Sequence, residues 1–299
     1  MASNSEQAAV VIETETGASA GLSWVFKGAV IVAFLAYLYS TVVPHLVSQW
    51  WNDPNFSHGF FVPAFSAYLI WKQRKRLAEI PVKPAWTGLF VIFMSLCLLT
   101  FGILGAELFS QRSSLVFLIA GLVVTFLGWD YFRAVFFPWA FLFLMIPIPE
   151  LILNQITMPL QFLASRMATA MLAFLNVPVL RDGNVIHLPD MSLQVVEACS
   201  GIRSLVSLGT LAIIYGYLLE SSVVIRLILV AASVPIAVVA NGLRIMGTGL
   251  TGLYWNPDKA QGFFHEFSGW VIFLVSLAAL FLLHGLLRII ARKIRRSHS

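Results

Sequence analysis

The sequence predicts an all-α polytopic membrane protein of about eight transmembrane helices, with a small extracytoplasmic β-hairpin before the sixth main span. Three observations carry this. Of 299 residues, 59% are hydrophobic and 11% are charged, against about 25% charged in a soluble domain. Mean hydropathy is +0.85. The apolar residues fall in runs long enough to cross a bilayer core, which needs about 20 residues per helix. No polar stretch is long enough to house a second folded unit, so one membrane domain is expected.

In chain order, residues 1–21 are polar, slightly acidic and rich in Ala, Ser, Thr and Glu, and read as a disordered cytoplasmic tail. They lack a basic stretch followed by a cleavage site, so no cleaved signal peptide is expected. The transmembrane domain is expected over 22–291 and a basic cytoplasmic tail over 292–299. Its spans fall at roughly 24–44, 57–71, 86–105, 113–129, 132–149, 200–219, 222–243 and 266–290. The second is short. Segment 151–176 is apolar but carries Asn154, Gln155, Gln161 and Arg166. It fits an interfacial helix, a re-entrant helix or a ninth span.

Lys and Arg set the orientation. With the N-terminus inside, the inner segments hold Lys27, Lys72, Arg74, Lys75, Arg76, Lys83, Arg133, Arg226, Arg288, Arg292, Lys293, Arg295 and Arg296. The outer ones hold Arg112, Arg166, Arg181, Arg244 and Lys259, and Arg203 lies just inside a span. The net charge of +5 is therefore topology, not affinity for nucleic acid. Both termini are cytoplasmic on this reading. Trp50, Trp51, Trp71, Trp86, Trp129, Trp255 and Trp270 lie near predicted span ends, at headgroup level. The two cysteines, Cys97 and Cys199, do not suggest a disulfide framework, because Cys97 sits in an apolar run.

The segment VPVLRDGNVIHLPDMSLQVVEA differs from the rest. Asp182-Gly183 is a turn signal between β-branched, roughly alternating flanks, which predicts the hairpin. It leads into Glu-Ala-Cys-Ser-Gly-Ile-Arg-Ser-Leu, and Cys199 is expected in the first turn of the next helix. Unpaired N–H groups and the positive dipole end lower a thiol pKa there. Arg203, four residues on, would share that face and favour thiolate further. The plain alternative is a buried structural cysteine beside a snorkelling arginine.

Asn241 and Arg244 close a span on its outer side. Arg244 fits an interfacial anchor, or a fixed cation that holds a carboxylate or a developing oxyanion. His265 precedes the last span on the same side. It is a structural histidine or a general acid/base titrating near neutrality. The apolar runs and basic residues were enough to draw the topology, yet it places Cys199, Arg244 and His265 on one side at similar depth. A nucleophile, a cation and an acid/base are the minimum for thiol acyl transfer. His58 and Glu197 are supporting candidates. His58 orients substrate or a partner residue, or makes a structural hydrogen bond. Glu197 orients His265 or is a solvated acid at a helix start.

At these residues the sequence resembles the exosortase/archaeosortase family of membrane-embedded, sortase-like cysteine enzymes. The resemblance rests on Ala198-Cys199-Ser200-Gly201, on Asn241-Gly242-Leu243-Arg244, on His265, and on Ser-His-Gly-Phe-Phe-Val-Pro at 57–63, and runs from about residue 45 to 290. It implies a cysteine-type endopeptidase/transpeptidase of the bacterial plasma (inner) membrane, active on the extracytoplasmic side. Cys199 would be the nucleophile and Arg244 and His265 catalytic; beside what the resemblance implies, Arg203, Asn241, His58 and Glu197 are substrate or support candidates by their own placement. The implied partners are exported proteins with a C-terminal sorting signal: a short motif, often Pro-Glu-Pro, then a spanning helix and a basic cluster. No cofactor is expected.

Other classes fit less well. A transporter or polysaccharide-export component would carry ionisable groups through its spans, whereas here the polar residues gather at one face. Serine and paired-aspartate intramembrane protease motifs are missing. A metal site from His58, His187, His265 and Cys199 would need scattered ligands held close. A non-catalytic scaffold leaves the placement of Cys199, Arg244 and His265 unexplained.

Overall fold

The structure, a computed structural model, describes residues 28, 30–189, 191–195, 201–254 and 263–297, without the side chains of 263–266 and 294–297. Twelve α-helices and one small sheet make up the described residues. The helices are α1 Val30–Leu38, α2 Val42–Asn52, α3 Phe61–Lys72, α4 Arg74–Ala78, α5 Thr87–Leu104, α6 Leu108–Phe126, α7 Trp129–Ala134, α8 Phe136–Phe141, α9 Glu150–Phe174, α10 Ile202–Leu219, α11 Val223–Tyr254 and α12 Phe263–Ser297. Short 3-10 turns cover Ser57–Phe60 and Leu142–Met145.

Five helices are long and apolar enough to cross a membrane: α5, α6, α10, α11 and the Phe267–Lys293 part of α12. Two further pairs qualify together but are bent, α1 with α2 by 56° and Phe136–Met145 with α9 by 79°, giving up to seven. This differs from the expected eight, for local reasons. The expected span at 57–71 is a 3-10 turn followed by α3, whose 12 residues rise about 18 Å, short of the roughly 30 Å apolar core. The expected span at 132–149 is broken into α7, α8 and a 3-10 turn. Pro147 and Pro149 then end it, since proline lacks an N–H and forces its predecessor out of helical geometry. Residues 151–176, left open by the sequence, form one 25-residue helix with Pro159 inside it.

The chain divides into two compact units, one of residues 1–49 and 75–139, the other of 50–74 and 140–299. In the first, α5 and α6 pack against each other where glycine removes the side chain. A Cβ on Gly121 would lie 2.7 Å from Ile92 Cγ1, and one on Gly102 would lie 2.8 Å from Gln111 N. Such close backbones are how helices associate in lipid, where dispersion and interhelical hydrogen bonds replace the hydrophobic effect. Ser95 Oγ donates to the Ser114 carbonyl at 2.7 Å, Tyr39 and Ser114 hydroxyls pair at 2.9 Å, and Gln111 Nε2 donates to the Gly102 carbonyl at 2.8 Å.

The second unit holds two cores. Leu208 and Ala212 of α10, Leu229 and Ala237 of α11 and Leu280 of α12 form one. Ala164, Ala168 and Leu172 of α9 form the other, with Ile245 of α11 and Ile186, Leu188 and Leu193 of the sheet. The sheet is a three-stranded antiparallel meander of β1 Leu180–Asp182, β2 Val185–Leu188 and β3 Met191–Gln194, in that order. It extends the expected hairpin by one strand. Gly183, φ +60°, opens the turn between the paired Asp182 and Val185, a conformation glycine adopts without steric cost. Ile186 and Leu193 are paired and both buried. His187 and Ser192 occupy the other, exposed face, the period-two alternation of a half-buried sheet.

Candidate functional site

The site residues predicted from sequence lie at one end of the α10–α11–α12 bundle, as far as the described residues carry them. Cys199 and Glu197 lie outside the described residues. So does the side chain of His265, although its backbone position is in the first turn of α12.

Helix α10 does not begin at Cys199. It begins at Ile202, and its N-cap is Gly201 in the left-handed region, φ +83°. That glycine is required twice over. The conformation is costly for any residue with a Cβ, and a Cβ there would lie 2.9 Å from Asn241 Cγ. The placement expected for Cys199, in the first turn of a helix, lies outside the described residues. Gly201, being left-handed, interrupts helical geometry just before Arg203.

Both flanks of the undescribed segment 196–200 are fixed to the same turn of α11. Val195, 1% exposed, belongs to the apolar cluster that contains Ile245, and Gly201 abuts Asn241. Arg244 lies between those two contact points in sequence. Asn241 is buried and Arg244 half-buried. The Arg244 guanidinium rests against α12 at Gly269, where a Cβ would lie 3.4 Å from Nη2 and 3.5 Å from Cζ. Two glycine contacts therefore bring Gly201, the Asn241–Arg244 turn and the Gly269 turn of α12 to one end of the bundle.

His58 has a different setting. Its Nε2 is 3.1 Å from the Leu144 carbonyl, so the ring donates there. Beside it, Trp50 Nε1 donates to the Met145 carbonyl at 2.8 Å, and a Cβ on Gly59 would strike the Trp50 indole. The Ser-His-Gly-Phe corner is thus tied to residues 144 and 145. Trp50 is 7% exposed, packed inside the protein. Trp51, Trp71, Trp86 and Trp270 are exposed.

Arg203 is exposed. Its Nε donates to Asn55 Oδ1 at 3.3 Å, and the Asn55 N–H donates to Asp53 Oδ1 at 2.8 Å. Sequence reading missed Asn55, because nothing in a polar loop residue announces a partner in a distant helix. It also missed Gly269, for which a glycine one turn past His265 was the available signal.

A second polar group went unread. At the other end of the same three helices, the Glu220 carboxylate accepts from His284 Nε2 and Arg288 Nε, each at 3.1 Å, and from the N–H groups of Ser221 and Ser222. Tyr215 OH is 2.7 Å from His284 Nδ1. An acid between two apolar runs and a histidine inside the last were its signals. Of the residues weighed as metal ligands, His58 meets the Leu144 carbonyl and His187 Nδ1 meets Ser192 Oγ at 2.8 Å. Among the described residues no three His, Cys, Asp or Glu gather to hold a metal.

Searches among curated proteins and among solved structures returned no match. A family model described as transmembrane exosortase matches residues 50–282. That stretch contains Asn55, His58, Cys199, Arg203, Asn241, Arg244 and His265 together. Since the match covers most of the chain, the protein belongs to the transmembrane exosortase family.

Proposed function

We propose that the protein is a membrane-embedded cysteine protease/transpeptidase that processes C-terminal sorting signals of exported proteins by thioacyl transfer. The observation that carries this reading is the pair of close approaches, Gly201 to Asn241 and Arg244 to Gly269. They tie the three motif-bearing segments together. In sequence Cys199 stands two residues before Gly201, the N-cap of α10. Gly201 offers no side chain to cap that end. Its backbone donors and dipole favour a thiolate in the preceding segment.

In this mechanism the Cys199 thiolate attacks the scissile carbonyl carbon. Arg244 stabilises the oxyanion. The oxyanion collapses, the C–N bond breaks, and His265 gives its proton to the leaving amine. Water or an amine then attacks the thioester, His265 takes up a proton, and Cys199 is released. The sidedness that suits this chemistry has both termini in the cytoplasm of a bacterial plasma membrane and the site outside. Eight crossings follow if Ser57–Lys72 passes the bilayer with the five single and two bent spans. Its 3-10 turn and α3 together rise about 26 Å.

The test is co-expression with a tagged exported protein that ends in a motif, a spanning helix and a basic tail. Wild type should shorten it, and Cys199→Ala should leave it full length. Normal processing by a folded Cys199→Ala protein would sink the reading in favour of polysaccharide export or transport.

A further inference from the structure

We propose that Arg112 and Ser113 form an anion site near the start of α6 that takes a phosphate group, carried by a phospholipid or free in solution. The inference does not depend on the cysteine chemistry. Arg112 and Ser113 are each 4% exposed. A guanidinium does not shed its proton, so Arg112 is a fixed charge about 6 Å inside α6, four residues after its first residue, Leu108. A snorkelling arginine would lie along the lipid face with its head in water, whereas this one is turned into the protein. Arg112 and Ser113 stand four and three residues before Val116, so they flank one stripe of the helix. Val116 is 0% exposed, and its carbonyl accepts from Trp139 Nε1 at 2.8 Å.

Among the described residues no hydrogen bond or ion pair engages the Arg112 guanidinium, and Ser113 Oγ has no hydrogen-bond partner either. The polar residues on each side of them are engaged. Gln111 Nε2 donates to the Gly102 carbonyl, and Ser114 Oγ donates to the Gln111 carbonyl. Glu107, the nearest acid in sequence, spends one oxygen on the Phe109 N–H and the other on the Ser110 N–H. It acts on Arg112 only through its longer-range field. The helix end is thus capped by its own acid, and the two buried side chains are what lack a partner. A buried charge without a partner is destabilising, and an ionisable group kept inside a span marks a functional site. A planar fork beside a hydroxyl suits an anion with several acceptor oxygens. Phosphate fits that need and that depth, because the headgroup phosphates of a bilayer lie just beyond the ends of its spans.

The experiment purifies the full-length protein in an uncharged, phosphate-free detergent. It is melted alone, with inorganic phosphate, with short-chain phosphatidylglycerol, and with a diacylglycerol that lacks the phosphate. Phosphatidylglycerol should raise the wild-type melting temperature, and the diacylglycerol should not. A rise with inorganic phosphate as well means that the free ion suffices; a rise with the lipid alone assigns the headgroup. Arg112→Met should melt at or above wild type without additive, because it removes an unpaired charge. It should bind phosphatidylglycerol at least about tenfold more weakly, the worth of one charge-assisted hydrogen bond. Arg112→Lys, which keeps the charge and loses the fork, should retain part of the response. Ser113→Ala should weaken it less than Arg112→Met does. The proposal is overturned if neither phosphate probe shifts wild type, or if the diacylglycerol shifts it as much as phosphatidylglycerol. It is also overturned if Arg112→Met keeps the wild-type response. An Arg112→Met protein that melts well below wild type without additive would overturn it too, since Arg112 would then be a structural member of the fold.

Discussion

At the scale of single residues, glycines decide more than the charged groups around them. Gly201 needs both a positive φ and an empty Cβ position against Asn241. Gly201→Ala should cost about 1–2 kcal/mol in backbone strain alone and displace the cysteine segment. Processing should fall far more than the melting temperature, measured in parallel on purified protein. Gly269 is more forgiving, since an added Cβ meets Arg244 at ordinary contact distance. Gly269→Ala should keep near-normal activity, whereas Gly269→Leu should push the guanidinium aside and abolish processing while the protein still folds.

Glu220 acts on stability. Its carboxyl is pulled down to about 2, first by the His284 hydrogen bond and then by the Ser222 N–H, with Arg288 and the Ser221 N–H adding to them against burial. Folding thus favours the ionised form. Its contribution is complete above the ordinary value of 4.5 and fades as pH falls from there toward 2. Glu220→Gln should cost about 3 kcal/mol near neutrality, as expected for breaking a buried pair. The gap to wild type should narrow on acidification, as read by thermal melting across pH. Equal gaps at both ends of that range would disprove the linkage.

Among elements, the sheet is the piece that joins α9 to α11. Its buried face, Ile186, Leu188 and Leu193, completes the core with Leu172 and Ile245, and its last strand leads toward Cys199. Ile186 is 0% exposed, so Ile186→Ala should lose about 3 kcal/mol through the cavity it leaves. If the sheet merely rests on the membrane, this variant would melt like wild type. The Asp-Gly turn and the alternation were legible in the sequence. The third strand was not read, because Met191–Gln194 is too short to show a period of its own.

For the whole molecule, the prediction concerns sidedness. In a background without native cysteines, Asp182→Cys on the sheet should react with an impermeant maleimide added outside. Arg76→Cys on α4 should react only after permeabilisation. Both positions are exposed, so reactivity reports the side and not burial. The opposite pattern would invert the topology and place the candidate site in the cytoplasm.

Composition and apolar runs by themselves determined that this chain lives in a membrane, roughly where its helices lie, and which residues deserve attention as chemistry. They do so because bilayer thickness and the cost of unpaired polar groups leave few options. The sequence overcounted continuous spans, since hydropathy sums over a window and is blind to a break at Pro147 and Pro149 or a turn at His58. Tertiary structure decided what sequence spacing cannot encode. Asn241 meets Gly201, Arg244 meets Gly269, and Asn55 meets Arg203 across long stretches of chain. The physical reason is that each contact depends on how helices pack and where a missing side chain lets backbones approach, and neither is a property of one segment alone.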